Sequence, residues 1–386
     1  MKDAWWVNAK ELNGEQRDVI MLPPDGSYLV TGPPGCGKTN LLVLRANYLA
    51  MGAHANILVL VFTRTLQEFI RTGAKQYAFP ESSVMTSWSW ERSLLKEHGC
   101  DPNVQGDFAE QRMELLDRMK QMVNAQQLGH IYDAIFLDEA QDYLVGEIEL
   151  FKQLTPRLFA VADSRQRIYD LEDPIGALKR LTDRYCPLKF HYRSGRRICL
   201  AADSLRRGDY TYDPLEETFQ YDEVKRPSTV DSDKCSDLDE VADLVLERLK
   251  FQLQAYPEEL LGVVAPRRQD AEYIGQKLLA SEIGASCVVQ SDTDYISFRT
   301  KTSVCVCSLH AAKGLEFRTV HLVGCEGFPA FRDRQKRMSY TAITRAKTSL
   351  NLYSVAPLPG YLAQAVYDAN PKPDPPDLDE LFKGKR

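Results

Sequence analysis

Ser27-Tyr-Leu-Val-Thr31 runs into Gly32-Pro33-Pro34-Gly35-Cys36-Gly37-Lys38-Thr39, and the chain continues as Asn40-Leu-Leu-Val-Leu-Arg-Ala-Asn-Tyr-Leu-Ala50. The first five residues are a short strand-like run. The next eight fit G-x-x-x-x-G-K-[ST] in full, and Lys38–Ala50 has helical spacing. Glycines in such a loop let consecutive backbone N–H groups converge on phosphate oxygens, and the helix N-terminus adds partial positive charge. Lys38 can reach β/γ-phosphates, and the Thr39 hydroxyl can ligate Mg²⁺. Gly32, Gly35, Cys36, Gly37, Lys38, Thr39 and Asn40 are the expected nucleotide-binding set, with ATP and Mg²⁺ as cofactors. The competing reading is a glycine turn with a chance lysine, which does not account for eight matching positions between a strand and a helix.

Working outward, Ile57–Thr63, Ala134–Leu137 and Leu158–Ala162 read as buried strands, with helix-like Leu66–Tyr77 between the first two. The second half repeats the pattern. Leu238–Phe251 and Gln269–Ile283 read as helices, and Leu261–Val264, Ala285–Val289, Ser303–Cys307, Val320–Val323 and Ser349–Tyr353 as strands. Such alternation predicts an α/β fold with parallel sheets flanked by helices. Thr211–Cys235 is polar and reads as surface connection. From Pro357 the chain is rich in proline and acid and reads as a partly ordered tail, or as one with a partner-binding helix at Leu378–Phe382.

Ala134-Ile-Phe-Leu137 ends at Asp138-Glu139-Ala140-Gln141-Asp142. A carboxylate pair at the C-terminal end of a buried strand is where an α/β sheet places ligand chemistry. Asp138 would hold the Mg²⁺ and Glu139 would polarise the attacking water. Lys38 and this pair together indicate nucleotide hydrolysis.

Composition narrows the classes further. The chain has 386 residues, a net charge of −6 and 44% hydrophobic residues, which suits a globular protein of two or three domains. No apolar run approaches the roughly 20 residues of a membrane span, and the N-terminus lacks a secretory pattern. The nine cysteines lack zinc spacing, and Cys305 and Cys307 read as neighbours on one strand face. The expectation is a cytoplasmic protein with no membrane partner.

Read together, further blocks resemble superfamily 1 helicases of the UvrD/Rep/PcrA type over most of residues 10–355. Leu12-Asn-Gly-Glu-Gln16 is similar to the adenine-reading block, Val59-Leu-Val-Phe62-Thr63-Arg64 to a DNA-facing block, and Ala162-Asp163-Ser-Arg-Gln166-Arg-Ile168-Tyr169 to G-D-x-x-Q-x-I-Y. His191-Tyr192-Arg193-Ser194 resembles N-Y-R-S. Ser308-Leu-His310-Ala-Ala-Lys313-Gly314-Leu315-Glu316-Phe317 resembles T-x-H-x-x-K-G-L-E-F, and Tyr340-Thr-Ala-Ile-Thr344-Arg345-Ala346-Lys347 the terminal Y-x-A-x-T-R-A. The resemblance implies two tandem RecA-like P-loop NTPase lobes, at 1–187 (with a short helical insertion about 91–130) and 188–356, and a tail at 357–386. It implies that Gln16 reads adenine, Tyr192 stacks on it, Glu316 takes a ribose hydroxyl, and Gln166, Arg193 and Arg345 attend the γ-phosphate. Phe62, Thr63, Arg64, Trp88, Tyr169, His310 and Lys313 would face nucleic acid, with aromatic rings as base-stacking platforms. The implied function is ATP-driven, 3′→5′ translocation on single-stranded DNA or tailed duplex DNA. The alternative is an ATP-switched subunit that recruits or regulates a partner such as a nuclease.

The sequence also departs from that pattern. Ala162 replaces the Gly of G-D, His191 the Asn of N-Y-R-S and Trp88 the His of an earlier T-x-H block, and no Trp follows Ile168-Tyr169. Of Trp88 and Trp90, one is expected in the core. The stretches 91–137 and 195–307 leave little room for the family's usual insertion subdomains, the first holding mainly the helix-like Phe108–Ala125.

Overall fold

The computed structural model describes residues 12–52, 54–74, 77–163, 173–209, 212–290, 302–312, 314–328 and 333–371. The first half carries strands β1 (Tyr28–Thr31), β2 (Ile57–Val61), β3 (Val84–Thr86), β4 (Ala134–Leu137), β5 (Leu158–Ala162) and β6 (Arg184–Pro187). Among them run α1 (Gly14–Ile20), α2 (Lys38–Ala50), α3 (Arg64–Ala74), α4 (Ser87–Glu97), α5 (Phe108–Ala125), α6 (Val145–Gln153) and α7 (Pro174–Leu181). All pairings are parallel, in the order β3-β2-β4-β5-β1-β6.

The second half carries α8 (Arg196–Leu205), β7 (Thr229–Lys234), α9 (Leu238–Ala255), β8 (Leu261–Ala265), α10 (Arg268–Leu279) and β9 (Cys287–Gln290). It continues with β10 (Val304–Ser308), β11 (Phe317–Leu322), α11 (Asp333–Ile343), β12 (Ala346–Ser354) and α12 (Gly360–Ala369). Its sheet is also parallel, ordered β7-β12-β11-β8-β10-β9. The expected α/β architecture of two parallel sheets flanked by helices is what the chain adopts.

The central strands are continuous apolar runs because both their faces are covered. Val30, Val59 and Phe136 pack with α1 and α2 on one side, while Leu29, Leu58 and Ile135 pack with α4–α6 on the other. Local chemistry sets the helix starts. Asn13 and Gln16 form a reciprocal capping box on α1, and Asp107 and Glu110 do the same on α5. Cys305 and Cys307 are fully buried on one face of β10, as same-face packing requires.

Three strands escaped the sequence pattern. β3 is only three residues long, β6 has no buried residue, and β7 buries Val230 alone. β7, inside the segment read as surface connection, pairs with β12 along Thr229–Lys234. Polar edge strands are held by backbone ladders and leave no hydrophobic alternation to read. The segment from Pro357 also differs from a tail: α12 docks on α8, burying Leu362, Ala365 and Ala369 against Ile198, Ala202 and Leu205. Leu378–Phe382 lies outside the described residues.

The tryptophan pair resolves clearly. Trp90 is 1% exposed, meets Phe151 edge-on with ring centres 5.5 Å apart, and donates to the Tyr132 hydroxyl at 2.9 Å. Trp88 is half-buried, 6.0 Å from the ring of Phe108. Trp90→Ala should cost about 3–5 kcal/mol of stability, and Trp88→Ala about 1 kcal/mol or less, as read from urea midpoints. Equal losses would contradict the assignment of Trp90 to the core.

Candidate nucleotide site between the two sheets

Strand order creates the site. β1 lies between β5 and β6, and β4 lies beside β5, so Gly32, Asp163 and Asp138 follow adjacent C-terminal strand ends. Across from them, Phe317 and Ala346 are partners at the starts of β11 and β12, which sets Glu316 beside Arg345. A cavity of about 550 Å³ lies between, lined by Gly35, Gly37, Lys38, Thr39, Asn40, Asp138, Glu139 and Asp163 from the first half. Tyr192, Arg193, Glu316, Arg345 and Lys347 line it from the second. Gln16, Gly32 and Cys36 are not among the lining residues.

The phosphate loop is tightly built. Gly35 (φ +79°) and Gly37 (φ +87°) are left-handed, a conformation glycine adopts without steric penalty. A Cβ on Gly35 would sit 2.3 Å from Arg193 Cβ, and the Gly35 carbonyl accepts from Tyr192 N at 3.1 Å. Lys38 Nζ donates to the carbonyls of Gly32 (2.8 Å) and Pro33 (2.9 Å) and lies 3.6 Å from Asp163 Oδ2. Gln16 Nε2 donates to Cys36 O at 3.0 Å, and Asn13 Nδ2 donates to the Tyr192 hydroxyl. Cys36 is buried, burial pushes its thiol pKa up, and its Sγ lies 3.8 Å from Lys38 Nζ. Asn40 Oδ1 is buried without a hydrogen-bond partner.

Thr39 Oγ1 donates to Asp138 Oδ2 at 2.9 Å. Burial first, and the neighbouring Glu139 second, push the Asp138 carboxyl up to about 7. A hydroxyl and a buried carboxylate form the hard oxygen set that suits Mg²⁺, so Thr39 and Asp138 fit that ion. Glu139 adopts φ +48°, a strained backbone for a residue with a side chain. Gln141 braces it: its Nε2 donates to Glu139 Oε2 at 2.6 Å, while its Oε1 accepts from Asp163 N at 2.9 Å.

The facing wall is cationic. Arg193 donates to Thr344 O at 3.2 Å and to Glu316, and burial, then Arg345, lower its pKa to about 9. Arg345, 2% exposed, donates to Leu315 O at 3.3 Å. Lys347 lies 3.4 Å from Glu316 Oε2, and burial with Arg193 and Arg318 nearby brings it down to about 7. Sequence reasoning gave no role to Lys347, Gln141 or Asp163. Asp163, like Asp138, immediately follows a buried strand, in its case β5.

Residues 16–172 match the AAA domain family and residues 211–356 match the UvrD-like helicase C-terminal domain family. In this order the two matched segments resemble the halves of a UvrD/Rep-like superfamily 1 helicase. Over 164 residues the chain is 28% identical to a curated relative, "ATP-dependent DNA helicase UvrD1" of Mycobacterium leprae. That match covers 40% of this chain and 20% of the relative, so this chain spans only a small part of the relative's length. A solved structure described as the C-terminal domain of a possible DNA helicase from Lactobacillus plantarum aligns at 20% identity with a TM-score of 0.33. The alignment covers 46% of this chain and 96% of that one.

The residues expected to face nucleic acid are less completely placed. Phe62 follows β2, half-buried, with its edge toward Tyr143 (6.1 Å) and the Arg112 guanidinium 5.3 Å over its ring. Thr63 Oγ1 accepts from Leu66 N at 3.3 Å at the start of α3, where Arg64 is exposed. Trp88 sits at the start of α4, and His310 is exposed after β10. Gln166, Tyr169 and Lys313 lie outside the described residues. No described helix is long and apolar enough to cross a membrane, and no described group of three His, Cys, Asp or Glu forms a metal cluster.

The raised Asp138 pKa gives a stability test. The folded carboxyl keeps its proton up to about pH 7, whereas the unfolded one releases it near 3.8. Asp138 therefore lowers stability progressively as pH rises through that window, with the full cost above it. Asp138→Asn should raise the melting midpoint of nucleotide-free protein above pH 7 and leave it nearly unchanged near pH 3.8. A uniform shift at both ends would refute the burial argument.

Proposed function

We propose that this protein is an ATP-driven motor on single-stranded DNA, working 3′→5′, with lobes divided near residue 187. The observation that carries this reading is the inter-sheet cavity: Lys38, Thr39, Asp138 and Glu139 on one wall, Arg193, Glu316 and Arg345 on the other.

In this reading the loop N–H groups and Lys38 hold the ATP phosphates, and Tyr192 and Glu316 orient the nucleoside. A magnesium ion on Thr39 and Asp138 supplies charge neutralisation at the phosphates when bound. Glu139, braced by Gln141, orients and deprotonates the attacking water. Arg193 and Arg345 meet the charge that accumulates on the γ-phosphoryl oxygens in the transition state. They belong to the opposite lobe, so loss of the γ-phosphate removes an anion that bridges the two lobes. That is a physical route from hydrolysis to relative lobe motion. Phe62, Thr63, Arg64, Trp88 and His310 supply stacking and phosphate contacts along the first and second lobes. Stacking of about 1–3 kcal/mol per base tolerates any sequence, as a motor requires.

ATP turnover measured with and without single-stranded DNA tests this. Stimulation by DNA is expected, with Lys38→Ala and Glu139→Gln reducing turnover by at least about 100-fold. Strand displacement is expected from a 3′-tailed duplex and not from a 5′-tailed one. Displacement from the 5′ tail alone would reverse the polarity, and turnover indifferent to DNA would favour the nucleotide-switched partner-binding reading.

A further inference from the structure

Helix α5 brings one arginine to three places at once. Arg112, 8% exposed, holds Glu147 of α6 with a two-pronged contact, its Nε donating to Oε1 at 2.6 Å. Its Nη2 also donates to the carbonyl of Asp142 at 2.9 Å. The face of the same guanidinium lies over the ring of Phe62. Asp142 closes the turn that begins at Glu139, donating its N–H to the Glu139 carbonyl at 2.9 Å. A continuous chain of contacts thus runs from the Phe62 ring through Arg112 and the Asp142 peptide to the turn whose first residue is strained at φ +48°.

Two features separate this arrangement from an ordinary buried ion pair. Glu91 of α4, 2% exposed and with Oε1 lacking a hydrogen-bond partner, lies within electrostatic reach of the same ion pair. Burial, then Glu147, hold the Glu91 carboxyl well above the usual carboxylate range, so Glu147 balances the guanidinium and charge balance does not explain its reach to Asp142. The contacts also need a planar fork and cannot be made together by a lysine ammonium.

We propose that Arg112 is a positioning residue that relays contact at Phe62 to the turn carrying Glu139, so that a strand lying on the first lobe sets the rate of ATP hydrolysis. This rests on the reading of the protein as a DNA-stimulated ATPase. A base stacked on or beside Phe62 shifts the ring under Arg112. Because the guanidinium is held by Glu147, the displacement passes to the Asp142 carbonyl and the position of Glu139.

The test compares ATP turnover at saturating oligo(dT) with turnover in its absence, alongside oligonucleotide Kd by fluorescence anisotropy and thermal melting. Arg112→Lys keeps the positive charge but loses the fork. Its stimulation ratio should fall at least about fivefold while oligonucleotide Kd is retained, a split that a purely structural role does not produce. Phe62→Leu at saturating oligonucleotide should lose stimulation to the same extent, and the double variant should lose no more than either single one. Normal stimulation in Arg112→Lys, or losses that multiply in the double variant, would overturn the relay. Should Arg112→Lys melt below the assay temperature, Phe62→Leu decides alone, and full stimulation in it refutes the proposal. No stimulation of the unmodified protein would instead refute the DNA-motor reading, and the relay with it.

Discussion

The approach of Gly35 to Arg193 governs the geometry of the cavity. The phosphate loop meets the second half of the chain backbone against side chain, with the Gly35 carbonyl accepting from Tyr192 N and no room for a Cβ. Because the walls are that close, Arg193 and Arg345 are drawn out of water and lie within electrostatic reach of Glu139 and Asp163. A looser contact would leave these arginines solvated, and their ability to stabilise charge would be screened. One left-handed glycine (φ +79°) therefore serves both the loop's curvature and the proximity of two lobes far apart in sequence.

The same closeness holds several ionisable groups away from their ordinary states. Asp138 is pushed up to about 7, Arg193 down to about 9 and Lys347 down to about 7, each chiefly by burial. Asp138, Glu139 and Asp163 share one wall with Lys38, while Arg193, Arg345 and Lys347 share the other with Glu316. A polyanion carrying its own divalent cation complements both walls, so the folding cost of burying these groups becomes binding selectivity. Sites that act on charged ligands commonly hold such unfavourable pairs in place.

Much of the architecture was legible because it is written in local pattern. The continuous apolar runs of β1, β2, β4 and β5 announced strands covered on both faces, and the eight-residue loop announced its own flanking strand and helix. Edge strands were not legible: β6 and β7 are exposed and polar, and their existence depends on backbone pairing with distant partners. Trp88 and Trp90 could not be ranked by spacing, since they open a helix and only the packing of Phe151 and Tyr132 chooses between them. At the site, motif residues could be named singly. That Gln141 would bridge Glu139 to Asp163, or that Lys347 would share Glu316 with Arg193, depended on side-chain directions that no pattern encodes.

Lys38 has a consequence for exchange. Its ammonium already has carbonyl oxygens of Gly32 and Pro33 within hydrogen-bonding distance and Asp163 close behind. The loop thus carries an internal substitute for a phosphate, and nucleotide entry is a swap of one set of oxygens for another. Only the difference between the two sets contributes to affinity. For a site that hydrolyses ATP, a product with one phosphate fewer would compete less well against that built-in alternative, and the same lysine would serve both grip and release.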